Sequence, residues 1–310
     1  MVKYIVKGVG AFFAAGLLVG CNPPNNNSSS SQPTKSLTHP IGDTLTLTIV
    51  PYEAADKLTE EYAPMASYLA KKMGARTGKF YSVSDYSGVL SALQNGQVDV
   101  AYLSPLPYGI ASREMKLNPL VMPFVKGSLT YHGIIFVKRD SPIKSVKDLK
   151  GKTFAFGDAL STTGYLLPRR LLEQTGVKLT DLKQFSNVGD ANMVVQTVED
   201  GGADAGSAYD LVFMVAYRDH PEKKNLMRVI GQTEDIPNGI YVARGDLPKE
   251  QVEKLKQVFM GMNDDPEGKV VLAKAPNDKV VLADDSKFNG VREAAKTIGL
   301  DLKSLDKKKK

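Results

Sequence analysis

Two stretches of this sequence share one plan, and that plan limits the fold more than any other feature. The first runs Asp85-Tyr86-Ser87-Gly88-Val89-Leu90 and on to Gly96-Gln97-Val98-Asp99. The second runs Asp190-Ala191-Asn192-Met193-Val194-Val195 and on to Gly201-Gly202-Ala203-Asp204. Each begins with an aspartate suited to cap a helix and sets two adjacent apolar residues on one helical face. Each then stops at glycine and enters a strand after aspartate. The period is too long for a solenoid. Any two βαβ units share part of this plan, so the echo supports two lobes of like construction without fixing them.

The flanking pattern is α/β. Leu45 to Val50 alternates as a strand. Leu58, Tyr62, Met65, Leu69 and Met73 recur at helical spacing, with Gly74 as the stop. Phe80 to Val83 and Val98 to Leu103 read as strands, with a helix from Tyr86 to Gln94 between them. Strands alternating with helices predict parallel construction. Ligands of such sheets sit beyond the C-terminal ends of the strands. The loops expected there are 84–86, 104–108, 158–164, 189–190 and 209–210. They carry hydroxyls, aromatics and a few acids, but no lysine or arginine. An anion among them is expected to meet neutral donors.

One of these loops stands out. A strand from Thr153 to Phe156 ends in Gly157-Asp158; Ser161, Thr162, Thr163 and Gly164 follow, and then an apolar helical run, Leu166, Leu167, Leu171 and Leu172. A helix N-terminus exposes unpaired N–H groups and partial positive charge, which suits a small oxyanion, and hydroxyls add donors. The same residues also suit an ordinary Ser/Thr cap. The loop alone leaves both readings open.

The ends of the chain read differently from its middle. Lys3 and Lys7 precede an apolar run from Val9 to Val19 that is too short to span a membrane. Residues 1–20 therefore read as a secretory signal. Residues 21–43 read as a cysteine followed by a flexible tether, rich in Asn, Ser and Pro through residue 40. Cys21 is the single cysteine, so no internal disulfide forms. The formal charge of +6 is carried by Lys3, Lys7 and Lys307 to Lys310, which leaves the rest balanced. The 307–310 tail reads as a solvated end. With no basic domain face and no Trp, nucleic-acid binding has no support.

Leu18-Val19-Gly20-Cys21 resembles the lipobox of bacterial lipoproteins. That implies diacylation of Cys21 and a lipid-anchored protein on the extracytoplasmic face of a membrane. From about Leu45 to Leu302 the chain resembles the substrate-binding proteins of phosphonate/phosphite ABC transporters, a branch of the type II periplasmic binding proteins. The carriers are Tyr62-Ala63-Pro64-Met65-Ala66-Ser67-Tyr68-Leu69, Ser84-Asp85-Tyr86 and Leu93-Gln94-Asn95-Gly96-Gln97-Val98-Asp99. More specific is the pairing of Phe156-Gly157-Asp158 with Ser161-Thr162-Thr163-Gly164-Tyr165-Leu166-Leu167-Pro168.

The resemblance implies a two-lobe α/β fold with a ligand cleft. Lobe 1 would comprise 44–132 plus 238–306 and lobe 2 would comprise 133–237, with crossings near Gly133 and Pro237. It implies capture of a phosphorus oxyanion, delivery to ABC permease subunits, a monomer and no cofactor. Tyr86 and Tyr131 would be cleft tyrosines. Ser161 and Thr162 would hold the phosphoryl oxygens, with the N–H groups of Thr163 and Gly164 behind them. Asp210 would face the ligand's organic end where that end bears an amine.

Two departures mark this chain. No histidine stands at 189–191, where the family usually has one, and no acid stands at 236–239. Both lean toward a small oxyanion such as phosphite or methylphosphonate. Asp190 is first a helix cap, and its carboxylate repels an anion unless the ligand carries a proton. Tyr102, Tyr108 and Ser104 are expected at the cleft or its rim. His132 is expected on the strand face opposite Tyr131.

Other readings rest on the same residues. A different small anion, or a sensor lipoprotein of the same fold, is the alternative. A hydrolase built on Ser161 lacks a base, because His39, His132 and His220 sit in no triad context. No metal-ligand spacing and no phosphate-cradling G-x-x-x-x-G-K loop occurs in the sequence.

Overall fold

The computed structural model describes residues 38–300. The signal segment, Cys21, the tether up to residue 37 and the 307–310 lysines lie outside the described residues. The chain first forms β1 (Thr44–Ile49), α1 (Ala55–Met73), β2 (Thr77–Phe80), α2 (Tyr86–Gln94), β3 (Val100–Leu103), α3 (Pro105–Glu114) and β4 (Leu117–Phe124). It crosses at β5 (Thr130–Tyr131) into β6 (Gly133–Lys138), β7 (Thr153–Phe156), α4 (Leu167–Gln174), β8 (Gln184–Asn187), α5 (Ala191–Glu199), β9 (Ala205–Tyr209), α6 (Val212–Ala216) and β10 (Met227–Gln232). It returns at β11 (Ile236–Pro237) to β12 (Ile240–Arg244), α7 (Lys249–Gly261), α8 (Pro266–Lys274), β13 (Lys279–Leu282) and α9 (Asn289–Thr297).

These strands build two sheets. One is six-stranded in the order β13-β4-β12-β3-β1-β2, and the other is five-stranded in the order β10-β6-β9-β7-β8. Each anchors a lobe of an α/β fold. The crossings β5 and β11 pair as a short antiparallel ribbon, with Tyr131 opposite Ile236.

Parallel pairing holds where the sequence pattern is βαβ: β1 with β2 and β3, and β7 with β8 and β9. The sheets are nonetheless mixed, which the sequence pattern did not anticipate. β6 runs antiparallel to β9, and β12 runs antiparallel to β3. The cause is topological. Parallel strands end at the cleft, whereas a strand entering from the crossing ribbon starts there and must run away from it.

Helix α1 buries Leu58, Tyr62, Met65 and Leu69, the apolar face read from spacing. Gly74 ends it in the left-handed region at φ 86°, which suits glycine. Strand β2 lies three residues earlier than the expected 80–83, running from Thr77 to Phe80. The Arg76 and Thr77 N–H groups both reach Asp43 O, so pairing starts as soon as the helix stops. Gly78 allows the close approach: a Cβ there would fall 2.1 Å from Ala66 O of α1.

The echoed aspartates both cap. Asp85 accepts the Gly88 N–H at 2.8 Å, and Asp190 accepts the Met193 N–H at 2.9 Å. Behind the cleft the lobes share apolar contact. Leu160, Leu166 and Leu167 join the same cluster as Leu106 and Ile110 of α3. Ile298 and Leu300, at the end of the described chain, also pack beside Tyr165 and Leu172. The C-terminal residues thus touch the second lobe as well as the first.

Candidate functional site

A cavity of about 430 Å³ lies between the two sheets. Its wall includes Tyr86, Tyr131, Ser161, Thr162, Thr163, Gly164, Asp190 and Asp210, residues drawn from both lobes and from the crossing ribbon.

The hydroxyl loop is built by close backbone packing. The Gly157 N–H donates to Gly164 O at 2.9 Å, and the buried Ser207 hydroxyl donates to the same oxygen at 2.8 Å. A Cβ on Gly164 would fall 3.1 Å from the Gly157 Cα, so the loop closes this tightly only with glycine. Ser161 caps the following turn, a π-helix over Thr162–Leu166 that leads into α4. Its Oγ accepts the Gly164 N–H at 2.9 Å. That N–H, expected to stand behind an anion, is used inside the loop instead. The N–H groups of Thr162 and Thr163 remain, since no helical carbonyl precedes them.

A cap uses one of the oxygen's two lone pairs and leaves the hydroxyl proton to donate. Ser161 therefore caps and can still offer a donor. Thr162 does the same: its Oγ1 accepts the Leu106 N–H of α3, from the other lobe, at 2.9 Å.

Tyrosines surround this pole. Burial pushes the Tyr86 phenol up, Asp158 adds to the rise, and the Ser161 hydroxyl partly offsets it. Burial likewise raises Tyr131, helped by Tyr102 and Tyr86, with the Thr162 hydroxyl opposing. The Tyr102 phenol is pushed up to about 12 by burial, against the Gly239 N–H. All three stay protonated at neutral pH and act as O–H donors.

The acids hold fixed positions. Asp210 Oδ2 accepts the His132 N–H at 3.2 Å and lies 3.4 Å from His132 Nδ1, while His132 Nε2 lies 2.6 Å from Asp235 Oδ1. His132 thus braces Asp210, a role with no local signal in the sequence. Asp210 Oδ1, the Tyr209 hydroxyl and the Ser104 hydroxyl are buried without a hydrogen-bond partner among the described residues, and all three residues line the cavity.

Several expectations are corrected. Tyr108 is not on the cavity wall. It is 1 % exposed and its hydroxyl donates to Asp285 at 2.6 Å, because it sits on the face of α3 turned toward α9. The wall is not free of cations: Lys126, Lys274 and Arg218 join it from segments outside the expected loops. Arg218 reaches across the lobes to Glu53 at 3.7 Å and Glu61 at 3.5 Å. Tyr52 and Tyr62 also line the wall, and sequence reasoning missed them, whereas Tyr209 lies there in the expected 209–210 loop.

The two departures have local causes. Gly189 has φ 109°, and a Cβ there would meet Met193 Sδ at 2.9 Å. Asn238 is a clamp, its Nδ2 donating to Pro123 O at 2.9 Å and to Ser128 O at 2.8 Å. An acid in its place would face two carbonyls.

Residues 47–288 match the family described as the periplasmic substrate-binding protein of phosphonate ABC transporters. The phosphate-import protein PhnD of Mycolicibacterium smegmatis is 28 % identical over 244 residues, 75 % of this chain and 76 % of that protein. The phosphonates-binding periplasmic protein of Escherichia coli is 27 % identical over 235 residues, 73 % of this chain and 68 % of that protein. In fold, the chain superposes on PhnD1 of Prochlorococcus marinus, solved with methylphosphonate, with a TM-score of 0.75 at 20 % identity. That match covers 83 % of this chain and 98 % of that one. Lobes, cleft and family match agree, and the chain belongs to the periplasmic substrate-binding proteins of phosphonate ABC transporters.

Proposed function

We propose that the cleft captures a phosphorus oxyanion, a phosphonate or phosphite, and that the closed protein delivers it to ABC permease subunits. The carrying observation is the hydroxyl pole. Ser161 and Thr162 each accept one backbone N–H, and their two O–H donors stand beside the Tyr86 and Tyr131 phenols. A cavity of about 430 Å³ falls in the range of drug-sized ligand sites, so an organic substituent fits beside the oxyanion. Asp210 Oδ1 is available to such a substituent. Asp190 remains a helix cap whose carboxylate favours a ligand that still carries a proton. Closure turns about the β5–β11 ribbon, with lobe 1 as 44–132 plus 238–306 and lobe 2 as 133–237. The protein acts as a monomer, held by a diacylated Cys21 on the extracytoplasmic face.

A binding role fits the site better than hydrolysis. The Ser161 oxygen is engaged with the Gly164 N–H, and His132 is held between Asp210 and Asp235.

Calorimetric titration of the detergent-extracted protein with phosphite, methylphosphonate, 2-aminoethylphosphonate, phosphate and sulfate tests the reading. Sub-micromolar binding of one of the first three is expected. Silence toward all five would sink it. Ser161→Ala with Thr162→Ala is expected to abolish binding in a protein that still folds.

A further inference from the structure

Ser104 occupies the N-cap of α3, a position where a serine oxygen ordinarily accepts the N–H of the second or third helical residue. Here neither is available. The third residue is Pro107, which has no N–H, and the Leu106 N–H goes to Thr162 Oγ1 at 2.9 Å. Ser104 accordingly makes no cap bond. Its hydroxyl is buried, lacks a partner among the described residues and lies on the cavity wall. Buried hydroxyls are met by a partner in nearly all proteins, so this one awaits a group from the cleft.

The Leu106–Thr162 bond also fixes where that group must be. It places Ser104 within one helical turn of the hydroxyl loop, but on the opposite lobe. Pro107 thus removes one N–H that would satisfy the serine within α3, and Thr162 takes up the other.

We infer that Ser104 is a ligand-binding residue, donating its hydroxyl proton from lobe 1 to the oxyanion that Ser161 and Thr162 hold from lobe 2. The inference rests on the oxyanion reading above. The anion is then bonded from both lobes, so affinity and closure are coupled through Ser104. The donor also enters from a wall other than 189–191, where this chain has no histidine.

The test pairs Ser104→Gly with Ser104→Ala in the detergent-extracted protein, titrated with phosphite, methylphosphonate and phosphate. Glycine keeps a good N-cap and removes only the hydroxyl, whereas alanine also removes cap preference. Both variants are expected to bind at least ~10-fold more weakly, as loss of a hydrogen bond to a charged group does, while Ser104→Gly melts like the parent. Affinity within about twofold of the parent in Ser104→Gly overturns the inference and leaves the oxyanion reading standing. A parent protein that binds none of the three overturns both. If melting falls in both variants while affinity holds, Ser104 is only a structural cap.

Discussion

Asp204 grips Thr153: its Oδ2 accepts the Thr153 N–H and hydroxyl, each at 2.8 Å, and its own N–H reaches the Thr153 hydroxyl oxygen at 2.9 Å. Asp99 repeats the arrangement on Thr46, at 2.8, 2.9 and 3.0 Å. The echo in sequence is therefore an echo in bonding. In each lobe the aspartate that precedes a strand is bonded to the neighbouring parallel strand.

Asp204→Ala is expected to destabilise the protein by about 1–3 kcal/mol, read from urea denaturation, because Thr153 loses its partners. The effect depends on pH. Burial raises the Asp204 carboxyl, but the Thr153 N–H and hydroxyl outweigh it and hold the group below the usual range. A depressed carboxyl stabilises above its unfolded value of about 3.9 and loses that contribution as pH falls through its folded value. The gap between parent and variant should be full at pH 7 and shrink below about pH 4. A gap of equal size at pH 3 would contradict this account.

Gly164→Ala tests the tight loop. The added Cβ would fall 2.8 Å from Ser161 Oγ and 3.1 Å from Gly157 Cα, so the cap must open. A loss of about 1–3 kcal/mol in stability is expected, together with at least tenfold weaker ligand binding. Gly290→Ala is the control: it meets nothing within 4 Å and lies in α9, so melting should be equal or higher. Unchanged binding in Gly164→Ala would detach the loop from the ligand.

Asn238→Asp turns a double donor into a charge facing two carbonyls, Pro123 O and Ser128 O. The residue is 4 % exposed, so the expected cost is about 3 kcal/mol, read as a lowered denaturation midpoint. A variant as stable as the parent would show that an acid is tolerated at this crossing.

What the sequence disclosed was local. Asp85 and Asp190 read as caps because a cap lies within three residues of its partner. The 157–164 loop was legible because strand, glycine, hydroxyls and helix follow one another directly. Pairings that join distant segments left no trace: Arg218 meets Glu61 from 157 positions away, and His132 meets Asp210 from 78. Tyr108 misled for the same reason. Ser104 of its expected loop does line the wall, but 105–108 is the first turn of α3, and the helix face Tyr108 occupies is fixed by α9 and Asp285, far along the chain.

Arg218 ties the lobes at the mouth of the cleft, between Glu53 and Glu61. Burial raises both carboxyls. Arg218 works against the rise at each, Tyr52 donates to Glu61, and Glu61 and Asp190 lift Glu53 further by repulsion. A raised carboxyl makes its favourable contribution below the unfolded value, near 4.3, and loses it as pH rises through the folded value. Arg218 thus limits the cost of carrying charge on either carboxyl. Arg218→Ala is expected to lower stability by about 1–2 kcal/mol at pH 7.5, since the arginine is only half-buried. The deficit should shrink as pH falls from 7.5 through the raised range of these carboxyls, where the unpaired acids take up protons. Melting curves of parent and variant across that range decide it, and a deficit that stays constant with pH would mean that Arg218 acts through packing alone.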